Sequence, residues 1–182
     1  MNALVQVFWK ICLLRAGPQQ LPASAFLTRL TVGCYFLVGL VVAMNTLPVV
    51  SALMPAAVDT LLMAGFAYLL LWIRGLTARY TQVLTALAGS GIVLGLIGLP
   101  VVSWWQRLMT EFSASGAESS NSGVLLASWL LLWAWFFWNL VVIGQIFRHA
   151  LSTIFVIGAS LALLYLYASI SVSRVVYGMA VG

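Results

Sequence analysis

The stretch "FFWNLVVIGQIFRHALSTIFVIG", Phe136 to Gly158, decides the fold. Two apolar runs meet in it across a short polar interval holding Gln145, Arg148 and the chain's single histidine, His149. Neither run alternates apolar and polar residues at period two, so neither reads as a strand of a membrane barrel. The first run reaches back to Val124 and the second forward to about Val172. A helix crossing a bilayer core about 30 Å thick needs roughly 20 residues at a rise of 1.5 Å, and both runs supply them. The stretch therefore predicts a hairpin of two transmembrane helices, with Arg148 and His149 in its tight turn.

Composition extends that reading to the whole chain. Of 182 residues, 64% are apolar and 6% charged, and the mean hydropathy is +1.12. Soluble domains carry about 25% charged residues to keep their surfaces wet, so lipid is the solvent here. The net charge of +5 comes from one Lys and seven Arg against Asp59, Glu111 and Glu118. In a nucleic-acid binder such cations would cluster on one solvated face; here they punctuate apolar runs, and no nucleic-acid partner is expected.

Five runs are long enough to span: about 25–45, 55–73, 80–102, 124–147 and 150–172. Before them, Leu4, Val7, Phe8, Ile11 and Leu14 recur at helical spacing, with Gln6, Lys10 and Arg15 elsewhere. Residues 1–16 thus read as an interfacial amphipathic helix lying on a leaflet, ended by "RAGPQQLP", whose Gly17, Pro18 and Pro22 do not continue a helix. This N-terminus has no basic region ahead of its apolar part and no small-residue cleavage site, so it does not read as a cleaved signal peptide. The predicted fold class is an all-α integral membrane protein: a single membrane domain over 1–182, a bundle of five transmembrane helices with an N-terminal interfacial helix.

Orientation follows from the cations near the ends of the runs. Lys10, Arg15, Arg29, Arg74, Arg79 and Arg148 fall on one side, and only Arg107 and Arg174 on the other. The N-terminus is expected in the cytoplasm and the C-terminus outside, in a multi-pass protein of a bacterial inner (plasma) membrane.

Three groups of residues carry the candidate sites. In the third run, Gly91 and Gly95 form a GxxxG pair extended by Ala88 and Gly98, and Gly158 with Ala162 forms a weaker pair in the fifth. Small residues let helix backbones approach closely in lipid, within the bundle or against a second copy or partner. In the fourth run, Trp129, Trp133, Trp135, Phe137 and Trp138 form an aromatic contact surface; Trp129, Trp133 and Phe137 share one stripe. The alternative use of these rings is a pocket for a quinone, pigment or lipid tail.

The third group is the intramembrane polar set Asp59, Asn139 and Gln145. Asp59 follows Pro55 by one turn, so it reads as a carboxylate at a helix N-terminus, favoured by the helix dipole and close to water. Its other reading is a carboxylate that carries a proton or cation. Asn139 lies near the middle of its run, where a buried amide needs a partner. Gln145 is nearly on the opposite side of that helix.

No metal or cofactor site is expected. One histidine cannot make bis-histidine haem ligation or a multi-histidine metal centre, and Cys12 and Cys34 have no metal-ligand spacing and read as free, packed thiols. The hydrophilic connection "QRLMTEFSASGAESSNSG" shows no triad, phosphate loop or carboxylate pair; Trp104 and Trp105 at its start read as interfacial anchors, and Glu111 and Glu118 as solvated charges. No catalytic residue is assigned, and the chain is read as not an enzyme.

Together with five spans and the two termini on opposite sides, "TARYTQVLTALAGSG" (Thr77–Gly91), "GPQQLPAS" (Gly17–Ser24) and "WNLVVIGQIFRHALS" (Trp138–Ser152) resemble segments of small bacterial members of the Yip (Ypt-interacting protein) membrane family. The resemblance implies a non-catalytic helical bundle; eukaryotic relatives act in membrane traffic through small GTPases and membrane shaping. Their long polar cytosolic N-terminal region has no counterpart here, so no GTPase-binding role and no site residue carries over. The functional expectation is an accessory, assembly or scaffold subunit that contacts membrane lipids and other membrane proteins or itself. The alternative is a small transporter or channel with Asp59 and Asn139 on its pathway.

Overall fold

The computed structural model describes residues 2–115 and 122–181; Glu118 lies outside them. The described residues form six α-helices and two short 3-10 turns: α1 (Asn2–Cys12), α2 (Ala25–Ala43), α3 (Val49–Ile73), α4 (Tyr80–Ser115), α5 (Ser122–Leu151) and α6 (Phe155–Val181), with the turns at Pro18–Gln20 and Thr77–Arg79. Five helices are long and apolar enough to cross a membrane, α2 through α6.

Several helix ends differ from those expected. Helix α3 begins at Val49, with Pro48 at its N-cap, and Pro55 stands inside it. In lipid a proline inside a helix is tolerated because neighbouring helices and side chains satisfy the backbone groups it frees. Asp59 is therefore not in a first turn but about 15 Å along the helix, beyond the reach of the terminal dipole. Helix α4 does not stop near Val102 but runs through Pro100 to Ser115. Its polar end is knitted by hydroxyls returning to carbonyls four residues back, Thr110 to Gln106 at 2.9 Å and Ser113 to Met109 at 2.8 Å. Arg148 and His149 stand in the last turn of α5. The chain reverses after them, at Ser152, whose φ of 51° is the left-handed conformation that often ends a helix.

The five long helices close into a ring: α2 packs on α3, α3 on α6, α6 on α5, α5 on α4, and α4 back on α2. Helix α1 packs outside that ring, on α4 and at one point on α5. The α5–α6 contact is backbone on backbone, since a methyl group added at Gly158 would meet the carbonyl oxygen of Gly144. Ala162, one turn further along α6, is fully buried. Helix α4 is the most enclosed, with Val83 through Ser90 all buried.

Packing is uneven along the ring. The main core joins Ile11, Cys12 and Leu21 to Ala67 and Leu71 near the end of α3, to Val83, Leu84, Ala86, Leu87 and Ala88 at the start of α4, and to Ile146, Phe147, Ala150 and Leu151 at the end of α5, and it continues to Met63, Leu94, Val142, Ala162 and Tyr165 in mid-bundle. Most of it lies toward the end where the cations gather. Polar staples close that end: the Gln82 amide donates to the Leu21 carbonyl at 3.0 Å, Arg79 to Ser152 at 3.2 Å, and Gln19 to the His149 carbonyl at 3.4 Å. At the opposite end, among the described residues, the buried cluster is small: Ala43, Leu47 and Ala52.

Candidate functional site

Between the dense basic end and the looser opposite end, the ring leaves a half-open cavity of about 290 Å³ to which each of the five long helices contributes wall. Asp59 projects into it from α3, Asn139 from α5, Tyr35 from α2, and Tyr165 and Ser169 from α6. These positions lie near the middle of their helices, so the polar groups meet deep within the apolar belt.

Asp59 is the centre of the polar network. The Tyr35 hydroxyl donates to its Oδ2 at 2.6 Å and the Ser169 hydroxyl to its Oδ1 at 2.9 Å. The Tyr165 hydroxyl adjoins both Tyr35 and Asp59. Both carboxylate oxygens thus accept, which is the pattern suited to a carboxylate anion, and the shorter bond falls in the range of charge-assisted O–H···O⁻ pairs. No Lys, Arg or His is among the described residues that line the cavity.

The α4 small-residue stripe explains how large side chains reach this position. A methyl group at Gly91 would collide with the Tyr35 ring, at Gly95 with Val38 at 2.8 Å, and at Gly98 with the Trp135 indole at 2.5 Å. These glycines receive aromatic and branched side chains of α2 and α5 from the same chain, and Ala88 is fully buried beside them. Gly91 is what lets Tyr35 stand against α4 with its hydroxyl on Asp59.

Asn139 finds its partner within its own helix: its amide donates to the Trp135 carbonyl at 2.8 Å. Its side-chain oxygen has no hydrogen-bond partner among the described residues and is left for the cavity. Trp135 is set apart from the other aromatic residues of α5. Its indole N–H donates to the Leu94 carbonyl at 3.2 Å, and its ring lines the cavity. Trp129, Trp133, Phe137 and Trp138 stay about half exposed. Trp133 stacks with Phe137 at 5.8 Å, and Trp129 meets Trp105 edge to face, also at 5.8 Å.

Gln145, Arg148 and His149 take no part in the cavity. The Gln145 side chain accepts from Arg148 at 3.3 Å, and its carbonyl lies 2.8 Å from His149 Nδ1. The His149 ring packs on Gly17 and the His149 carbonyl accepts from Gln19, so His149 fastens the N-terminal segment to the end of α5. Cys12 is buried against the Ser90 carbonyl, and burial pushes its thiol up to about 11, which makes it a packing residue rather than a nucleophile.

Tyr165, on the cavity wall, heads a chain of rings that leads away from the cavity. Tyr165 meets Phe66 at 5.4 Å between ring centres, and Phe66 meets Phe147 at 5.9 Å. These rings from α6, α3 and α5 lie between Asp59 and the basic end.

Tyr35, Ser169 and Tyr165 were not singled out from the sequence. One signal was available: Tyr35 and Tyr165 lie far from the ends of their runs, away from the aromatic belt where tyrosines in membrane helices concentrate. In comparisons with known proteins, no family model matches the chain, and neither a curated protein nor a solved structure does. None of them identifies a Yip-like family.

Proposed function

We propose that this chain is a small transporter that takes a cation, a proton included, through the membrane by way of Asp59. The observation that carries this reading is the Asp59 carboxylate, held by Tyr35 and Ser169 inside a cavity whose described lining has no basic residue. A carboxylate at such depth is unfavourable unless its charge is met, and a cation passing through the cavity meets it. Asn139 supplies a neutral oxygen on the same wall. The chemistry asked of these residues is binding and release, so the protein is read as no enzyme.

The asymmetric packing supports a resting state in which the site faces the loosely packed end, the basic end opening only for release. One end is sealed by the core and by the Phe66 cluster; the other has only a small cluster to separate. The distribution of cations supports a cytoplasmic N-terminus, an external C-terminus and a bacterial inner membrane, and the exposed face of α1 (Val5, Trp9) supports its lying in the leaflet interface.

The test is cation flux in proteoliposomes, with protons, Na⁺, K⁺ and a small organic ammonium ion each offered as the sole gradient. Wild-type protein is expected to carry at least one of them, Asp59→Asn to carry none, and Asn139→Leu to be slowed. Flux unchanged in Asp59→Asn, or absent for every cation including organic ones, ends the proposal.

The half-exposed aromatic stripe of α5 supports a second role, as the contact with another membrane protein or another copy, which is the accessory-subunit reading. Measuring the particle mass in native lipid discs tests that role. A bare monomer defeats it and leaves transport untouched.

A further inference from the structure

We infer that the occupant of the Asp59 cavity is a small organic ammonium ion rather than a bare metal ion or a proton alone. This rests on the cation-transport reading above and names its substrate class.

The first argument is size. A cavity of about 290 Å³ stands at the lower edge of ordinary small-molecule sites, about 300–1,000 Å³. A proton or alkali ion needs far less, and an ion of that kind calls for several oxygens converging on one point. Here both Asp59 oxygens are already engaged by Tyr35 and Ser169, and no group of three or more His, Cys, Asp or Glu that could hold a metal exists among the described residues.

The second argument is the wall. Rings of Tyr35, Trp135 and Tyr165 line the cavity, and the rest of the wall is mostly aliphatic and small. Aromatic faces attract an ammonium group by their quadrupoles, by more when the site is desolvated, while an apolar wall suits the carbon part of the same ligand. The result is one anionic pole, aromatic sides and an apolar remainder. An amphiphilic monocation of roughly ten heavy atoms fits that pattern; a dianion, a sugar or a strongly hydrated ion does not.

The experiment compares two isosteres on the purified full chain in lipid discs by isothermal titration calorimetry. Benzyltrimethylammonium carries a permanent charge; neopentylbenzene has the same shape and none. Wild-type protein is expected to bind the cation at least tenfold more tightly than the neutral compound. Asp59→Asn is expected to abolish that preference, and Trp135→Leu to weaken cation binding severalfold. The wild-type comparison stands even if a variant fails to fold. Equal affinity for the two isosteres, or no binding of either, overturns the inference. Proton or alkali-ion flux that depends on Asp59 without ammonium binding overturns it alone and leaves cation transport standing; loss of both defeats both.

Discussion

At the scale of single residues, the site depends on hydroxyl groups that no charge pattern announces. Removing the Tyr35 hydroxyl leaves the ring seated over Gly91 but takes the donor from Asp59 Oδ2. Hydrogen bonds in membrane bundles average well under 1 kcal/mol, but one to a charged group is worth more. Tyr35→Phe is therefore expected to lose about 1–2 kcal/mol in an unfolding titration with mixed detergent micelles. A change below about 0.3 kcal/mol would count against the 2.6 Å contact being an anchor of the site. The sequence pointed to Asp59 and Asn139, because a carboxylate or amide among aliphatics is conspicuous. It could not join them, since the angular relation between α3 and α5 is set by ring closure through α6, and no local period encodes that.

At the scale of elements, the spans were legible and their ends were not. Lipid demands long apolar helices, so composition alone located all five. Pro55 misled because proline favours the first turn of a helix, whereas α3 had already run from Val49. The polar end of α4 and the turn at Ser152 escaped for a related reason: hydropathy marks where lipid stops, not where hydrogen bonding stops. The glycines were legible as packing residues, yet their partners were not. They also divide by surroundings. At Gly158 a methyl group meets backbone, which cannot step aside, while Gly178 has open space around it. Gly158→Ala is expected to destabilise the α5–α6 hairpin by about 1–3 kcal/mol. Gly178→Ala is expected to be neutral or to stabilise by up to about 1 kcal/mol. The same detergent titration reads both, and equal effects would refute the backbone contact.

At the scale of the whole molecule, the ring is dense at the basic end and slack at the other, so access to Asp59 is one-sided. Ser173, on the wall of the cavity toward the slack end, is the reporter. With Cys12 and Cys34 replaced by alanine, Ser173→Cys is expected to react with a membrane-impermeant thiosulfonate added on the side where α3 begins. It should stay unmodified when the reagent is added on the side of Arg79 and Arg148. Adding Phe66→Ala removes the ring that joins Tyr165 to Phe147 behind the cavity and is expected to admit reagent from that second side. Labelling of the single variant from the basic side would mean that the core does not seal the cavity.

Helix α4 holds two glycines whose tenants belong to different parts of the protein. Phe8 of α1 fills the groove at Gly89, and Tyr35 of α2 fills the groove at Gly91. Two residues apart on a helix is about 200° around its axis, so the two rings grip α4 from nearly opposite sides, like jaws on a spindle. Any roll of α4 that loosens one ring must disturb the other. The N-terminal helix and the carboxylate that Tyr35 steadies are thereby geared together through α4, although neither touches the other.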